Sequence, residues 1–281
     1  MKIKSIKTIG EFITKLEKLN ITQNDTLFFR GEAKEHSAIV PSIYTKNEWI
    51  ENEDKIFKEF ILRNPNDFIN EKTTFEKLVK MQHYSLPTRL LDITSNPLIA
   101  LFFACERYQN EEDGHLVVFS IPDKDTKYYD SDTVSVISNI SRRPIDKLDI
   151  GNLNNKKKKF NSTSEIQYLL HEIKEEKPYF KDIIKKEHMQ KVVFVKPLLN
   201  NARIIKQDGA FLLFGINQQK RECAEIPENY ILQTIPIDKN SKKTIMKNLE
   251  ILGISKDKIY PEMDTTASYL KEKFLTNQSS Q

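Results

Sequence analysis

Ile9, Phe12, Ile13, Leu16 and Leu19 recur near helical spacing with Lys15, Glu17 and Lys18 between them, which predicts an amphipathic helix over residues 8–19. Residues 25–30 bring three apolar positions together before Gly31, a short buried strand with Arg30 at its end. Asn47 can cap a helix running to about residue 63, which Pro65 cannot continue. Thr74 can cap the next helix, with Phe75, Leu78 and Val79 on one face, and Pro87 forces its end near residues 85–86. Asn96-Pro97 then opens a helix that is apolar on nearly every side through Cys105 and turns polar at Glu106-Arg107, so burial all round is predicted over residues 97–108.

Further along, strand patterns fall at residues 115–121, 133–137 and 191–195, and at 210–215 and 230–237, the last two read as neighbours. Residues 152–164 are polar and without period, an exposed loop or insertion. Helices are predicted at 164–174 and 179–189. Two more close the chain, at 243–252 before Gly253 and at 262–275 after Pro261. This order is α+β. It implies one mixed domain over residues 1–281, with a central, largely antiparallel sheet, the buried helix at 97–108, a polar insertion near 150–164 and a helical C-terminal segment over 243–275.

Charge narrows the functional classes only a little. The 44 basic and 40 acidic residues leave a net +4 with no basic tail, weak support for a nucleic-acid partner. The two cysteines are far apart and suggest neither a disulfide framework nor a metal site, and the five histidines lack ligand spacing, so no metal is expected. The N-terminus has no unbroken apolar stretch of the signal-peptide kind and no segment approaches a membrane span, so a cytoplasmic protein without a membrane partner is expected.

The most informative stretch is Met81-Gln-His-Tyr-Ser-Leu-Pro-Thr-Arg-Leu-Leu-Asp-Ile-Thr94, where polar side chains crowd between a helix and a buried helix. Unbonded, each would cost about 1–3 kcal/mol, so an ordered network is expected. Arg30 on a buried strand needs an acidic partner or an anionic ligand. Either a bond to Asp92 or loop carbonyls, or a ligand phosphate, would serve. Gly31 permits a tight turn or a ligand close to the backbone. His83 is a candidate general base or phosphate donor, or a core histidine bonded to a carbonyl. Asp92 could orient either the imidazole or a guanidinium. Tyr84 could stack on a base or fill core, and Thr88-Arg89 after Pro87 could present donors to a phosphate or clamp helix ends. Gln207 could read a base edge or end a strand.

With Phe29-Arg-Gly31 upstream and Gln207-Asp-Gly-Ala-Phe211 downstream, the Gln-His-Tyr-x-Leu-Pro-Thr-Arg-Leu-Leu-Asp run closely resembles the FRG domain family. That resemblance implies a setting in bacterial conflict such as phage defence, as toxin or sensor-effector. The first functional expectation is an enzyme or sensor-effector that binds a phosphate-bearing nucleotide, dinucleotide or nucleic-acid end in a cleft between the Arg30 strand and the loop from Pro87 to Asp92. In it Arg30 and Arg89 hold phosphates, His83 moves a proton, Asp92 orients and Gln207 reads the ligand. NAD is the cofactor or substrate to test first, by ADP-ribosyl transfer or cleavage. Asn161-Ser-Thr-Ser-Glu165 and Arg30-Gly31 are similar to elements of arginine-class ADP-ribosyltransferases, whose late glutamate Gln207-Asp-Gly209 does not supply. The alternative is a non-catalytic ligand-sensing or protein-interaction module in which the polar cluster is an internal strut. A nuclease ranks last, because Asp92 is the one obvious carboxylate for a metal.

Overall fold

The computed structural model describes residues 4–34, 38–107, 112–153 and 155–262. Seven strands form its sheet: β1 Asp25–Glu32, β2 Leu90–Thr94, β3 Gly114–Pro122, β4 Thr126–Tyr128, β5 Val192–Lys196, β6 Gly209–Phe214 and β7 Ile231–Ile237. Their spatial order is β4-β5-β6-β2-β1-β3-β7, antiparallel throughout except for the parallel β4–β5 pair. The helices are α1 Ile9–Glu17, α2 Asn47–Glu51, α3 Glu53–Arg63, α4 Thr74–His83, α5 Pro97–Cys105 and α6 Asp132–Asn139, followed by α7 Lys157–Asn161, α8 Ser164–Glu176, α9 Lys186–Met189, α10 Ala202–Lys206, α11 Lys242–Ile251 and α12 Lys256–Ile259. The protein is a single mixed α+β domain, as the order of sequence patterns implied.

The sheet is curled. Four strand spacings separate β3 from β5, about 19 Å on a flat sheet. Yet the Phe119 and Phe194 rings lie 5.7 Å apart, and Phe28 of β1 stacks on Phe194 at 5.9 Å. The inner face therefore closes on its own side chains, with Leu212 and Phe214 filling the rest. On the outer face, β2, β5 and β6 carry one helical layer, in which Leu90, Val193, Phe211 and Leu213 meet α4, α6 and α8. Phe29, Leu116, Val118 and Ile235 of β1, β3 and β7 instead meet a second layer made by α1, α5 and α11. Burial on both faces explains why Phe28-Phe29 shows no alternation.

The two halves of the sheet are only lightly joined. β1 and β3 share an eight-residue register, whereas β1 and β2 share the single pair Phe29↔Thr94. Beyond that pair the central strands part, and the opening lies between the two helical layers.

Several sequence expectations change. Residues 133–137 are helical, inside α6, because Ser135, whose polarity between Val134 and Val136 mimics strand alternation, is itself buried. The helix expected over 47–63 breaks at Asn52, whose amide nitrogen donates to the Glu48 carbonyl (2.9 Å). That break starts α3 with Glu53 turned into the core. β7 pairs with β3 rather than β6, since β5 and β2 already occupy both edges of β6. β2 was not anticipated as a strand, and of residues 179–189 only α9 is helical. Within 152–164, α7 makes a turn in which Phe160 is buried and Asn161 bonds the backbone of Ile184. The helix expected over 262–275 lies outside the described residues apart from Glu262. No described helix is long and apolar enough to cross a membrane.

Candidate functional site

Where β1 and β2 separate, a cleft of about 380 Å³ opens, within the range of ligand pockets. Arg30 and Glu32 of β1, Asp92 of β2, Glu106 just after α5, Arg203 of α10 and Tyr260 just after α12 line it. Gln207, the C-cap of α10, completes the wall. Five separate stretches of chain thus converge on one opening.

Arg30 spans the seam. Its Nε donates to Glu32 Oε1 (2.9 Å) and its Nη1 to the Asp92 backbone carbonyl (2.7 Å), so a side chain supplies a bond that the strand ladder does not. A guanidinium has five donors, so two bonds leave capacity for an anion. Both expected roles of Arg30, strut and ligand site, are compatible with this placement.

The Asp92 carboxylate does not orient His83 or the Arg30 guanidinium. It is itself held: Gln82 Nε2 donates to Asp92 Oδ2 (2.8 Å), and Thr88 Oγ1 donates to Gln82 Oε1 (2.6 Å). Thr88 is therefore buried one step behind the cleft rather than in it. Gln207 has a comparable double role. Its Nε2 donates to the Ile259 carbonyl (3.1 Å) and its own carbonyl accepts from Thr94 Oγ1 (2.7 Å), which ties β2 to the segment carrying Tyr260.

Glu106 and Tyr260 had no motif to mark them. Tyr260 donates its hydroxyl to Glu106 Oε2 (2.7 Å), while the Arg203 guanidinium lies 5.0 Å over the Tyr260 ring. Burial pushes the Glu106 carboxyl up from its ordinary range, against the opposing hydrogen bond from Tyr260 and nearby cations. A carboxyl so placed holds a proton more readily than an exposed one. The available sequence signal was the abrupt polar end of an otherwise apolar helix at Glu106-Arg107.

His83 lies beside the cleft rather than within it. A small adjoining cavity touches His83, Gln82, Asp92, Arg203 and Gln207, and the last three also line the cleft or its edge. Its Nε2 is 3.6 Å from Glu262 Oε1, and Arg203 Nη1 is 3.9 Å from the same oxygen. Burial, then Arg203, lowers the imidazole pKa below its ordinary value despite Glu262.

The remaining expected ligands are placed elsewhere. Arg89 is fully enclosed; its Nε donates to Glu53 Oε1 (2.8 Å), its Nη2 to Glu53 Oε2 and its Nη1 to the Phe214 carbonyl (2.9 Å). Burial opposes the charge, but Glu53 overrides it and raises the Arg89 pKa, so this arginine is a fold strut and has no access to a phosphate. Tyr84 is exposed and packs against His83 and Phe60. Gly31 lines the seam cleft, and a Cβ there would sit 1.8 Å from the Ala100 carbonyl oxygen, so the glycine also admits the α5 backbone. The Ser-Thr-Ser run at 162–164 lies outside the cleft, with Thr163 Oγ1 bonded to the Phe160 carbonyl (2.9 Å). Among the described residues no group of three or more His, Cys, Asp or Glu could hold a metal ion.

An α+β protein with a mixed-charge cleft at the seam of a curled sheet is the class these observations define. Residues 25–113 match the FRG domain, so the chain carries an FRG domain over that stretch. The matched stretch supplies β1, β2 and α5, hence Arg30, Asp92 and Glu106. Comparison with curated proteins and with solved structures finds no match.

Proposed function

We propose that the seam cleft binds a phosphate-bearing nucleotide and that the protein acts on its N-glycosidic bond, with NAD the first substrate to test. What carries this reading is the pairing, in one cleft, of the cations Arg30 and Arg203 with the carboxyl groups Asp92 and Glu106. Guanidinium groups suit phosphate oxygens, and carboxylates suit the positive charge that develops on a ribose as its bond to nitrogen breaks. In NAD the C1′–N bond breaks with its electron pair leaving on nicotinamide. Water then adds at C1′ and gives up a proton, which Glu106 accepts. If a nucleophile of another molecule replaces water, the outcome is ADP-ribosyl transfer. Asp92, held by Gln82, lies against the developing charge, and His83 borders the same wall. A role as toxin or effector in bacterial conflict, including antiviral defence, follows from the family resemblance alone.

The test is calorimetric titration with NAD and ADP-ribose, followed by chromatography of NAD after incubation. Wild type should bind and consume NAD. Glu106→Gln should retain binding and lose turnover. Arg30→Ala should weaken binding roughly 10- to 100-fold, the worth of one charged hydrogen bond of about 1.5–3 kcal/mol. No binding by wild type would refute the reading.

A specific bond favours a second reading, a non-catalytic sensing or protein-interaction module. Arg30 Nη1 already donates to the Asp92 carbonyl, as an internal strut would. Under it, Arg30→Ala lowers the melting temperature and changes no nucleotide pool in cells expressing the protein.

A further inference from the structure

A second recess, of about 500 Å³, lies apart from the seam, between α7 and the segment that leads through α9 into β5. We propose that it binds the phosphodiester backbone of nucleic acid, without reading sequence. Lys157, Lys185 and Lys191 stand around it, all exposed, with Glu187 the acid among its lining residues. No described acidic side chain forms an ion pair with any of these three lysines. Unpaired ammonium groups from two segments, gathered on one concavity, repel one another, and a polyanion relieves that repulsion.

The scaffold under them is rigid. Asn161, buried at 4% exposure, donates through Nδ2 to the Ile184 carbonyl (2.8 Å) and accepts from the Ile184 N–H through Oδ1 (3.0 Å), a reciprocal pair that locks α7 to the opposite wall. Phe160 and Ile184 form the buried floor. The positive field is felt by His188 on the same wall: burial first, then Lys185 and Lys191, lower its pKa, and Glu187 only partly offsets them.

Three features favour a backbone over a base or a lone phosphate. Lysine is a point charge that accepts phosphates in any orientation, without the fork that fixes one. The aromatic in the lining, Phe160, is buried and offers no face for base stacking. Lys158 and Lys159, exposed on the same turn, continue the positive surface past the recess, as a polymer would use. This site is independent of the seam cleft and does not rest on the reading proposed for it.

The experiment is fluorescence anisotropy of the full chain with labelled single-stranded RNA, single-stranded DNA and duplex DNA of about 20 nucleotides, titrated with salt. Three phosphate contacts give a slope of log affinity against log salt of about −2 on single strands, or roughly 20-fold weaker binding at 200 than at 50 mM. Lys157→Glu/Lys185→Glu/Lys191→Glu should cost at least tenfold in affinity and bring the slope near zero, with an unchanged melting temperature because all three are exposed. Arginine at the same positions should restore binding, and Arg30→Ala should leave it unchanged. The proposal is overturned by absence of binding to all three polymers, by a triple variant that keeps the wild-type slope, or by complete displacement with a few millimolar inorganic phosphate. The arm that binds best, RNA, DNA or duplex, identifies which backbone the site takes.

Discussion

Glu53 is the hub of a buried three-charge cluster, and this fixes an order of stabilities. Its Oε1 takes the Arg89 Nε, and its Oε2 takes both the Arg89 Nη2 and the Lys220 Nζ, the latter at 2.9 Å. All three side chains are essentially without solvent. The cluster carries two positive charges and one negative. Glu53→Gln preserves shape but leaves Arg89 and Lys220 buried without the anion they share, with Asp54 acting on Lys220 alone, a loss of about 3–5 kcal/mol. At about 2–4 °C per kcal/mol for large domains, that is a fall in melting temperature on the order of 10 °C. Lys220→Met leaves the fork between Arg89 and Glu53 neutral and intact; it takes one of two donors from Glu53 Oε2 and deprives the Ser141 and Arg143 carbonyls of theirs, about 1–2 kcal/mol. Arg89→Met should fall between them, because Lys220 still neutralises Glu53 while the Phe214 carbonyl loses its donor. Urea denaturation of the three variants gives the order directly. A Lys220→Met loss as large as that of Glu53→Gln would refute Glu53 as the hub. So would an Arg89→Met protein of wild-type stability that has lost nucleotide binding, since it would return Arg89 to the ligand site.

Two further outcomes can be measured with the same assays. Gly31→Ala drives a methyl into helix backbone, 1.8 Å from the Ala100 carbonyl oxygen and 2.7 Å from the Ala104 nitrogen, and neither can yield without moving α5. It should cost at least about 3 kcal/mol or prevent folding, and a loss under about 1 kcal/mol would disprove that contact. His83 gives a pH dependence. Its folded pKa lies below the ordinary 6.5, chiefly through burial, so between the two values the unfolded chain binds more protons. Stability is therefore full above about pH 6.5 and declines as pH falls towards the folded value. His83→Gln should flatten that part of a melting-temperature profile between pH 5 and 8. A wild type that grows more stable on acidification would mean that Glu262 outweighs burial.

Which features could be read from sequence follows from how local their causes are. Asn96-Pro97 and the apolar run after it define α5 because a cap and uniform burial are local facts. Arg30, Asp92 and Gln207 stood out as polar side chains among apolar neighbours, and all three line the seam cleft. The same logic placed Arg89 with them, since a buried arginine needs an anion. Its anion is Glu53, 36 residues upstream, and the inward turn of Glu53 depends on the break at Asn52 that the continuous helical pattern of 47–63 conceals. Glu106 and Tyr260 are separated by 154 residues and meet only because the Tyr260 ring, just after α12, packs on Phe102 and Phe103 of α5. α6 was misread because its small polar residues are buried by tertiary contacts that a period cannot encode.

The seam also decides how the Arg30 experiment must be built. One register pair holds β1 to β2, and the Arg30 guanidinium bridges the strands just beyond it. Alanine there removes a strut and a ligand contact together, so a weaker complex could reflect a wider seam. Lysine separates the two. Its single ammonium can still donate to the Asp92 carbonyl, but it lacks the second arm that would reach an anion at the same time. If Arg30→Lys keeps the wild-type melting temperature and still loses affinity, the guanidinium contacts the ligand. If it restores both, the bridge alone matters, and the anion must be held by Arg203 on the opposite wall, where its stacking on Tyr260 leaves it 32% exposed.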